Sequence, residues 1–349
     1  MRTRSGPVLL RLLLLIPLGL GLTVRLIGLR QGEPDMIYHP DMAKQVLMAR
    51  ATYLGNADPR AIYGKEDVCR SMYPYGTAVI TGRLARLYTA VLGKDLGKVH
   101  RFYWALRMRF FVVALFIVSA AAVLLLFFHQ LGPVATVLTG ILLCLEPVSA
   151  QFSHYGMNDV PLLSLLVLTW ATAGMMSRRN PVGLACALLS GLCAGLAFGI
   201  KYQGVLGLVF PGIAGLVLMR CRGWKWAVAA ALCVAVGFAG GASLTCPLLL
   251  SSPSYFLEAF PKFMSWQANI LDRTIPLTEK LPRNTAAVAS PLLSKGQWLI
   301  AAGAVWAFAS ALRAKRSAGE SILVFSASAF CVIFLLTVIC ARDIIRAND

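Results

Sequence analysis

An all-α polytopic membrane protein is the fold class this sequence predicts, and three features predict it. Hydrophobic residues make up 58% of the chain and charged residues only 14%, with a mean hydropathy of +0.71. That is too apolar for a soluble domain of 349 residues. The apolar residues gather in runs long enough to cross a hydrocarbon core, at roughly 17–25 residues each. Basic residues cluster in the short connections between these runs, on alternate sides. The expected architecture is a bundle of about nine transmembrane helices, with a long first outer loop that carries amphipathic interfacial helices.

Met1-Arg2-Thr3-Arg4 precedes an apolar run from Pro7 to Leu29. The run opens like a signal peptide, but it is too long for an h-region and has no clear small-residue cleavage site, so it reads as the first span. Further spans are expected near Phe110–Phe128, Val134–Ala150, Val160–Met176, Val182–Ile200, Val205–Met219, Trp226–Leu250, Gln297–Leu312 and Ser321–Cys340. Arg2 and Arg4, the Ser177–Asn180 connection, the Arg220–Lys225 connection and the Arg313–Arg316 connection fall on alternate sides. Lys and Arg near span ends are retained in the cytoplasm, so a cytoplasmic N-terminus places all four clusters inside. The same arrangement puts residues 30–109, Glu146–Asp159, Lys201-Tyr202, residues 251–295 and the Arg342–Asp349 tail on the outer face.

The formal charge of +18 points to anionic membrane lipid rather than nucleic acid, because the cations lie in clusters between spans and in one long loop. Of nine cysteines only Cys69 lies in a large polar loop. No disulfide framework is indicated, and the rest read as small core residues.

The first outer loop has helical periodicity of its own. Met42, Val46, Ala49 and Tyr53 recur at helical spacing, as do Ile80, Leu84, Leu87, Tyr88 and Val91, with Arg83 and Arg86 on another face. These predict two amphipathic helices on the membrane surface. Asn56-Ala57-Asp58-Pro59 and Tyr73-Pro74-Tyr75-Gly76 are turn chemistry between them. There is no internal repeat, low-complexity segment or separate soluble domain, so residues 1–349 read as one transmembrane domain.

Candidate chemistry lies at span boundaries on the outer face. Asp41, in Tyr38-His39-Pro40-Asp41, is placed to act as a base on a membrane-borne substrate. A helix N-cap is the plainer role for it, although the residue three on is Lys44, not the Glu or Gln of a capping box. Asp159 opens an apolar span, where a carboxylate complements the helix dipole. Two carboxylates at span ends on an acid-poor face also invite pairing, one as base and the other orienting an acceptor or a metal. His39 and His154 stand near them in sequence, and a divalent metal held by His39, Asp41, His154 and Asp159 is conceivable. No compact ligand spacing supports it, so no metal or other cofactor is assigned. Lys201-Tyr202 follows a glycine-rich span; Lys201 is either a snorkelling side chain or a partner for a lipid phosphate.

In these residues the chain resembles the membrane-embedded GT-C glycosyltransferases, particularly the bacterial relatives of protein O-mannosyltransferases and of the lipid A aminoarabinose transferase. The likeness rests on an N-terminal span, a first outer loop opening with His39-Pro40-Asp41, a second acidic motif at Asn158-Asp159-Val160-Pro161, and Gly199-Ile200-Lys201-Tyr202-Gln203-Gly204. The resemblance implies a GT-C-like bundle in a bacterial inner membrane. It also implies inverting transfer of a sugar from a polyprenyl-phosphate donor to a protein, lipid or glycan acceptor outside the membrane. Asp41 would then be the base and Asp159 its catalytic companion. His39, His154, Lys201, Tyr202, Arg342 and Arg346 would bind substrate. Two departures stand out: Met42 occupies the place where such proteins commonly carry a second acid, and the chain ends sooner than theirs, as a C-terminal truncation would leave it. The rival reading is a transporter or flippase of lipid-linked sugars, but such proteins place polar groups near mid-bilayer and these spans are nearly free of charge.

Overall fold

Helices carry the backbone through the residues described by this computed structural model, which are 12–30, 40–131, 133–145, 147–156, 158–178 and 180–270, with the isolated positions Ile322 and Val324. Helix α1 (Leu15–Ile27) comes first. Four helices fold from the first loop: α2 (Pro40–Tyr53), α3 (Pro59–Tyr63), α4 (Val68–Ser71) and α5 (Gly76–Leu92). Then come α6 (Arg101–Leu131), α7 (Pro133–Leu145), α8 (Pro147–Tyr155), α9 (Asp159–Met175) and α10 (Val182–Ile200). A 3-10 turn over Tyr202–Leu208 leads into α11 (Val209–Arg222), α12 (Trp224–Thr245), α13 (Leu248–Ser251) and α14 (Pro253–Ile270). The spans expected at Gln297–Leu312 and Ser321–Cys340, the Arg313–Arg316 cluster, His39, Arg342 and Arg346 lie outside the described residues, the two isolated positions apart.

Among the described residues four helices are long and apolar enough to cross a membrane: Arg101–Leu126, Val182–Ile200, Tyr202–Arg222 and Trp224–Thr245. Thr136–Leu145 and Ser149–Tyr155 form a fifth if the pair, bent by 45°, counts as one span. Proline accounts for the break, since Pro147 opens α8 and cannot donate back into the preceding turn. Helices α1 and α9 are apolar but shorter, at 13 and 17 residues.

Glycine spacing sets the tightest contact of the bundle, between α10 and α12. A Cβ added at Gly191 would lie 2.1 Å from the Val234 carbonyl oxygen, and one at Gly237 would lie 2.1 Å from that of Leu188. Hydrogen alone fits at these positions. Small residues let apolar helices approach backbone to backbone where lipid removes any hydrophobic drive between them. The seam fixes where α10 ends, and therefore where Lys201 emerges.

The first-loop helices form a core of their own. The predicted α2 stripe, Met42, Val46, Ala49 and Tyr53, turns inward and packs with Tyr75, Val79, Trp104 and Met108. On α5 the small residues Thr77, Ala78, Thr81, Gly82 and Ala85 are buried, while Leu84, Leu87, Tyr88 and Val91 are exposed. The reason is close approach: a Cβ on Gly82 would come within 2.5 Å of the Ala49 carbonyl oxygen. Helix α6 starts at Arg101, nine residues before the expected Phe110, because its first turns hold buried polar structure. Arg109 is fully buried and its Nη1 donates to the Leu29 carbonyl at 2.8 Å, tying α6 to the end of α1.

Candidate active site

The turn Tyr73-Pro74-Tyr75-Gly76 is where three helix ends meet. Asp41 lies in the first turn of α2, Asp159 opens α9, and Lys201 follows the last residue of α10. The Pro74 carbonyl oxygen gathers the two acidic helices. Gln45, one turn on from Asp41, donates to it through Nε2 at 3.2 Å, and Asn158, next to Asp159, donates through Nδ2 at 2.9 Å. Asn158 is buried and accepts from buried Thr77 through Oδ1 at 2.7 Å. It stands at the N-cap position of α9 but makes no cap hydrogen bond there, so its amide serves the tertiary join instead.

Lys201 is brought to the same place by backbone contact. A Cβ on Gly76 would lie 2.6 Å from the Gly199 carbonyl and the Ile200 nitrogen, so the turn rests directly on the end of α10. At Lys201 the backbone becomes extended, with φ −156° and ψ 130°, before the 3-10 turn begins. Tyr202 points the other way. It is buried among Phe198, Phe256, Phe260 and Phe263, and its hydroxyl donates to the Met72 carbonyl at 2.6 Å. It anchors the turn from beneath.

Each carboxylate has its own lysine. Lys44 Nζ is 2.9 Å from Asp41 Oδ1, and Lys201 Nζ is 2.6 Å from Asp159 Oδ1. Both pairs remain open to solvent, with side-chain exposures of 32% and 26% for the first and 37% and 44% for the second. Pairs this exposed contribute about 1 kcal/mol or less to stability. Being in the first turn, both carboxylates also face the positive end of a helix dipole.

Tyr73 is within electrostatic reach of both acids. Burial, then the negative charge of Asp41 and a hydrogen bond to its carboxylate, then the charge of Asp159, raise the Tyr73 hydroxyl above the ordinary tyrosine range. A tyrosine hydroxyl is protonated at neutral pH, and this one donates to the Asp41 carboxylate. Two proton acceptors, two ammonium groups and a fixed hydroxyl suit a reaction that takes a proton from one oxygen while negative charge develops on another.

His154 meets the end of α1. Its ring packs over Gly28, and Nε2 lies 3.1 Å from the Arg25 carbonyl, under α1. Gly156, with φ +65°, turns the chain between α8 and α9. Among the described residues no three His, Cys, Asp or Glu side chains gather into a group that could hold a metal ion.

Residues 97–339 match glycosyltransferase family 87, a GT-C-type membrane family. The match covers well over half of the chain. The chain belongs to glycosyltransferase family 87. It is accordingly an integral membrane glycosyltransferase with a sugar donor and an acceptor. No curated protein and no solved structure matches it. The matched stretch takes in Asp159, Lys201 and Tyr202 of this family 87 protein but begins after Asp41 and Tyr73, which join the group through geometry alone.

Sequence reasoning missed Tyr73, Lys44 and Asn158 as members of the site. A signal was present for each: Asn158 adjoins Asp159, and a Tyr-Pro-Tyr-Gly turn inside an outer loop sets aromatic hydroxyls at a fixed corner. Lys44 stands three residues from Asp41, the spacing at which helix side chains meet.

Proposed function

We propose that this protein transfers a sugar, with inversion, from a polyprenyl-phosphate donor to an acceptor hydroxyl at the outer face of a bacterial inner membrane, with Asp41 as general base. Asp41 takes the proton of the acceptor hydroxyl as its oxygen forms a bond to the anomeric carbon. The bond from that carbon to the phosphate oxygen breaks, and the electron pair leaves with the lipid phosphate. Lys201 balances that charge, Asp159 orients Lys201, and Tyr73 holds the Asp41 carboxylate. The acceptor is a protein, lipid or glycan hydroxyl. The observation that carries this reading is the shared Pro74 carbonyl, through which Gln45 and Asn158 bring two acidic helix ends beside Lys201.

The test uses the purified full chain in nanodiscs with a polyprenyl-phosphate sugar and an acceptor mixture. Asp41→Asn keeps the shape but removes the basicity, and should lower turnover by about 10²–10⁴ in a folded protein. Turnover close to the parent value removes Asp41 from the role. Movement of donor across the bilayer of a proteoliposome, with no glycosylated product, would instead mark a transporter.

A further inference from the structure

At the other end of α10, about 28 Å along the helix axis from Lys201 at 1.5 Å per residue, lies a second polar site. Three candidate spans reach the membrane boundary there: Val182 begins one, Arg222 ends the next and Trp224 begins the third. Between them is a cavity of about 620 Å³ lined by Asn180, Leu184, Arg222, Lys225, Trp226 and Ala229. Among the described residues no carboxylate lines it.

The cavity is built to hold a fixed cation. Arg222 Nη2 donates to the Ser177 carbonyl at 2.5 Å, and its guanidinium lies over the Trp226 ring, 5.1 Å from the centroid. The indole is itself fixed, with Nε1 donating to Asn180 Oδ1 at 3.0 Å. Gly183 makes room for this arrangement, since a Cβ there would lie 2.6 Å from the Arg178 carbonyl oxygen and 3.3 Å from Arg222 Nη1. Lys225 adds an exposed ammonium on the rim. A planar guanidinium held in place beside an exposed ammonium is a donor set that suits a phosphate, one by its fork and the other as a point charge. Trp224, 65% exposed at the same level, and Trp226 mark this as headgroup depth, where indoles settle.

We propose that the Arg222–Lys225–Trp226 cavity binds the phosphate of an anionic phospholipid headgroup, in the leaflet opposite the one that faces Asp41 and Asp159. The ligand chemistry is a phosphate diester, and its source is the bilayer. A free phosphate would need to enter from water without the membrane anchorage that raises the local concentration of a lipid headgroup. This site is separate from the carboxylate group and stands whether or not that group transfers sugar.

The experiment uses the full chain in nanodiscs of phosphatidylcholine and phosphatidylglycerol at three to one, extracted into detergent and weighed by native mass spectrometry. The parent protein should retain phosphatidylglycerol over phosphatidylcholine. Lys225→Gln should lower that retention by roughly fivefold, and Arg222→Gln/Lys225→Gln by roughly 25-fold, at the usual worth of a cation near an anionic surface. Lys225→Gln alters an exposed side chain and so keeps a folded variant in hand if the double variant fails. Arg86→Gln/Lys94→Gln, which removes two cations from the first-loop region, should retain lipid as the parent does. Equal retention by Lys225→Gln and the parent overturns the proposal, and so does an equal loss in the Arg86/Lys94 control. Displacement of the lipid by millimolar glycerol phosphate, at the affinity that this soluble ester shows alone, would assign the site to a free phosphate and overturn the lipid source.

Discussion

Asn158→Leu tests the join that brings the two carboxylates together. The substitution keeps the approximate volume but removes two hydrogen bonds, one to the Pro74 carbonyl and one from the Thr77 hydroxyl. Each is worth about 1 kcal/mol net, and the buried Thr77 hydroxyl left without its acceptor costs about 1–3 kcal/mol more. Pro74 keeps its bond from Gln45, so no further penalty arises at the carbonyl. The expected loss is therefore about 3–5 kcal/mol. Adding Thr77→Val removes the orphaned hydroxyl, so the double variant should recover about 1–3 kcal/mol and melt above Asn158→Leu alone. Detergent-solubilised protein followed through thermal unfolding gives the order: parent highest, double variant between, Asn158→Leu lowest. A double variant that melts at or below Asn158→Leu would refute the claim that Asn158 satisfies Thr77. Sugar transfer adds a second readout, because with the join gone both variants should lose turnover even when folded.

Two further outcomes follow from other parts of the structure. Burial and the neighbouring Asp41 carboxylate raise the Tyr73 hydroxyl above the ordinary tyrosine value, so its proton is held more tightly in the folded state. The stabilisation is complete below about pH 10 and is lost as the pH rises above it; melting temperature should fall above pH 10 in the parent and less steeply in Tyr73→Phe, and parallel curves would contradict the burial of that hydroxyl. Sidedness is read by cysteine labelling in intact cells whose Cys69 and Cys221 are replaced: Asn56→Cys, which is exposed, should react with an impermeant reagent and Ser177→Cys should be shielded, the opposite pattern inverting the topology.

Composition decided most of what was legible. Helix α10 was readable to the residue because Pro181 and Lys201 bracket an uninterrupted apolar run, and α9 was placed within one residue of its ends for the same reason. Helix α6 was cut short, since Arg101, Arg107 and Arg109 depress a hydropathy window although Arg109 is buried. Helices α3 and α4, five and four residues long, are too brief for any period. Helix α14 opens at Pro253 within what reads as an outer loop, because its apolar residues Phe256, Ala259 and Phe263 form a stripe rather than a run. At the site, Asp41, Asp159 and Lys201 were legible as charges at the ends of apolar segments. The bonds that gather them were not, for a donor reaching a backbone carbonyl 84 residues away leaves no trace in residue spacing. The same holds for His154, whose ring meets the Arg25 carbonyl 129 residues away.

The pairing of acids with lysines bears on how a site of this kind begins its work. At rest the four charges of Asp41, Lys44, Asp159 and Lys201 balance in two pairs. On the reading proposed above, the donor brings a lipid phosphate to Lys201, whose bond to Asp159 is half exposed and worth about 1 kcal/mol or less. A phosphate would compete for that ammonium at little cost. As the glycosidic bond breaks, charge on the leaving oxygen grows and its attraction to Lys201 grows with it, which lowers the barrier and not merely the free energy of the bound donor. Asp159 then recovers its lysine when the lipid phosphate departs. On that reading Asp159 would limit product affinity as well as orient Lys201. Asp159 would therefore be tuned by its exposure: buried more deeply, the pair would resist the donor, and without Asp159 the lysine would hold the spent lipid.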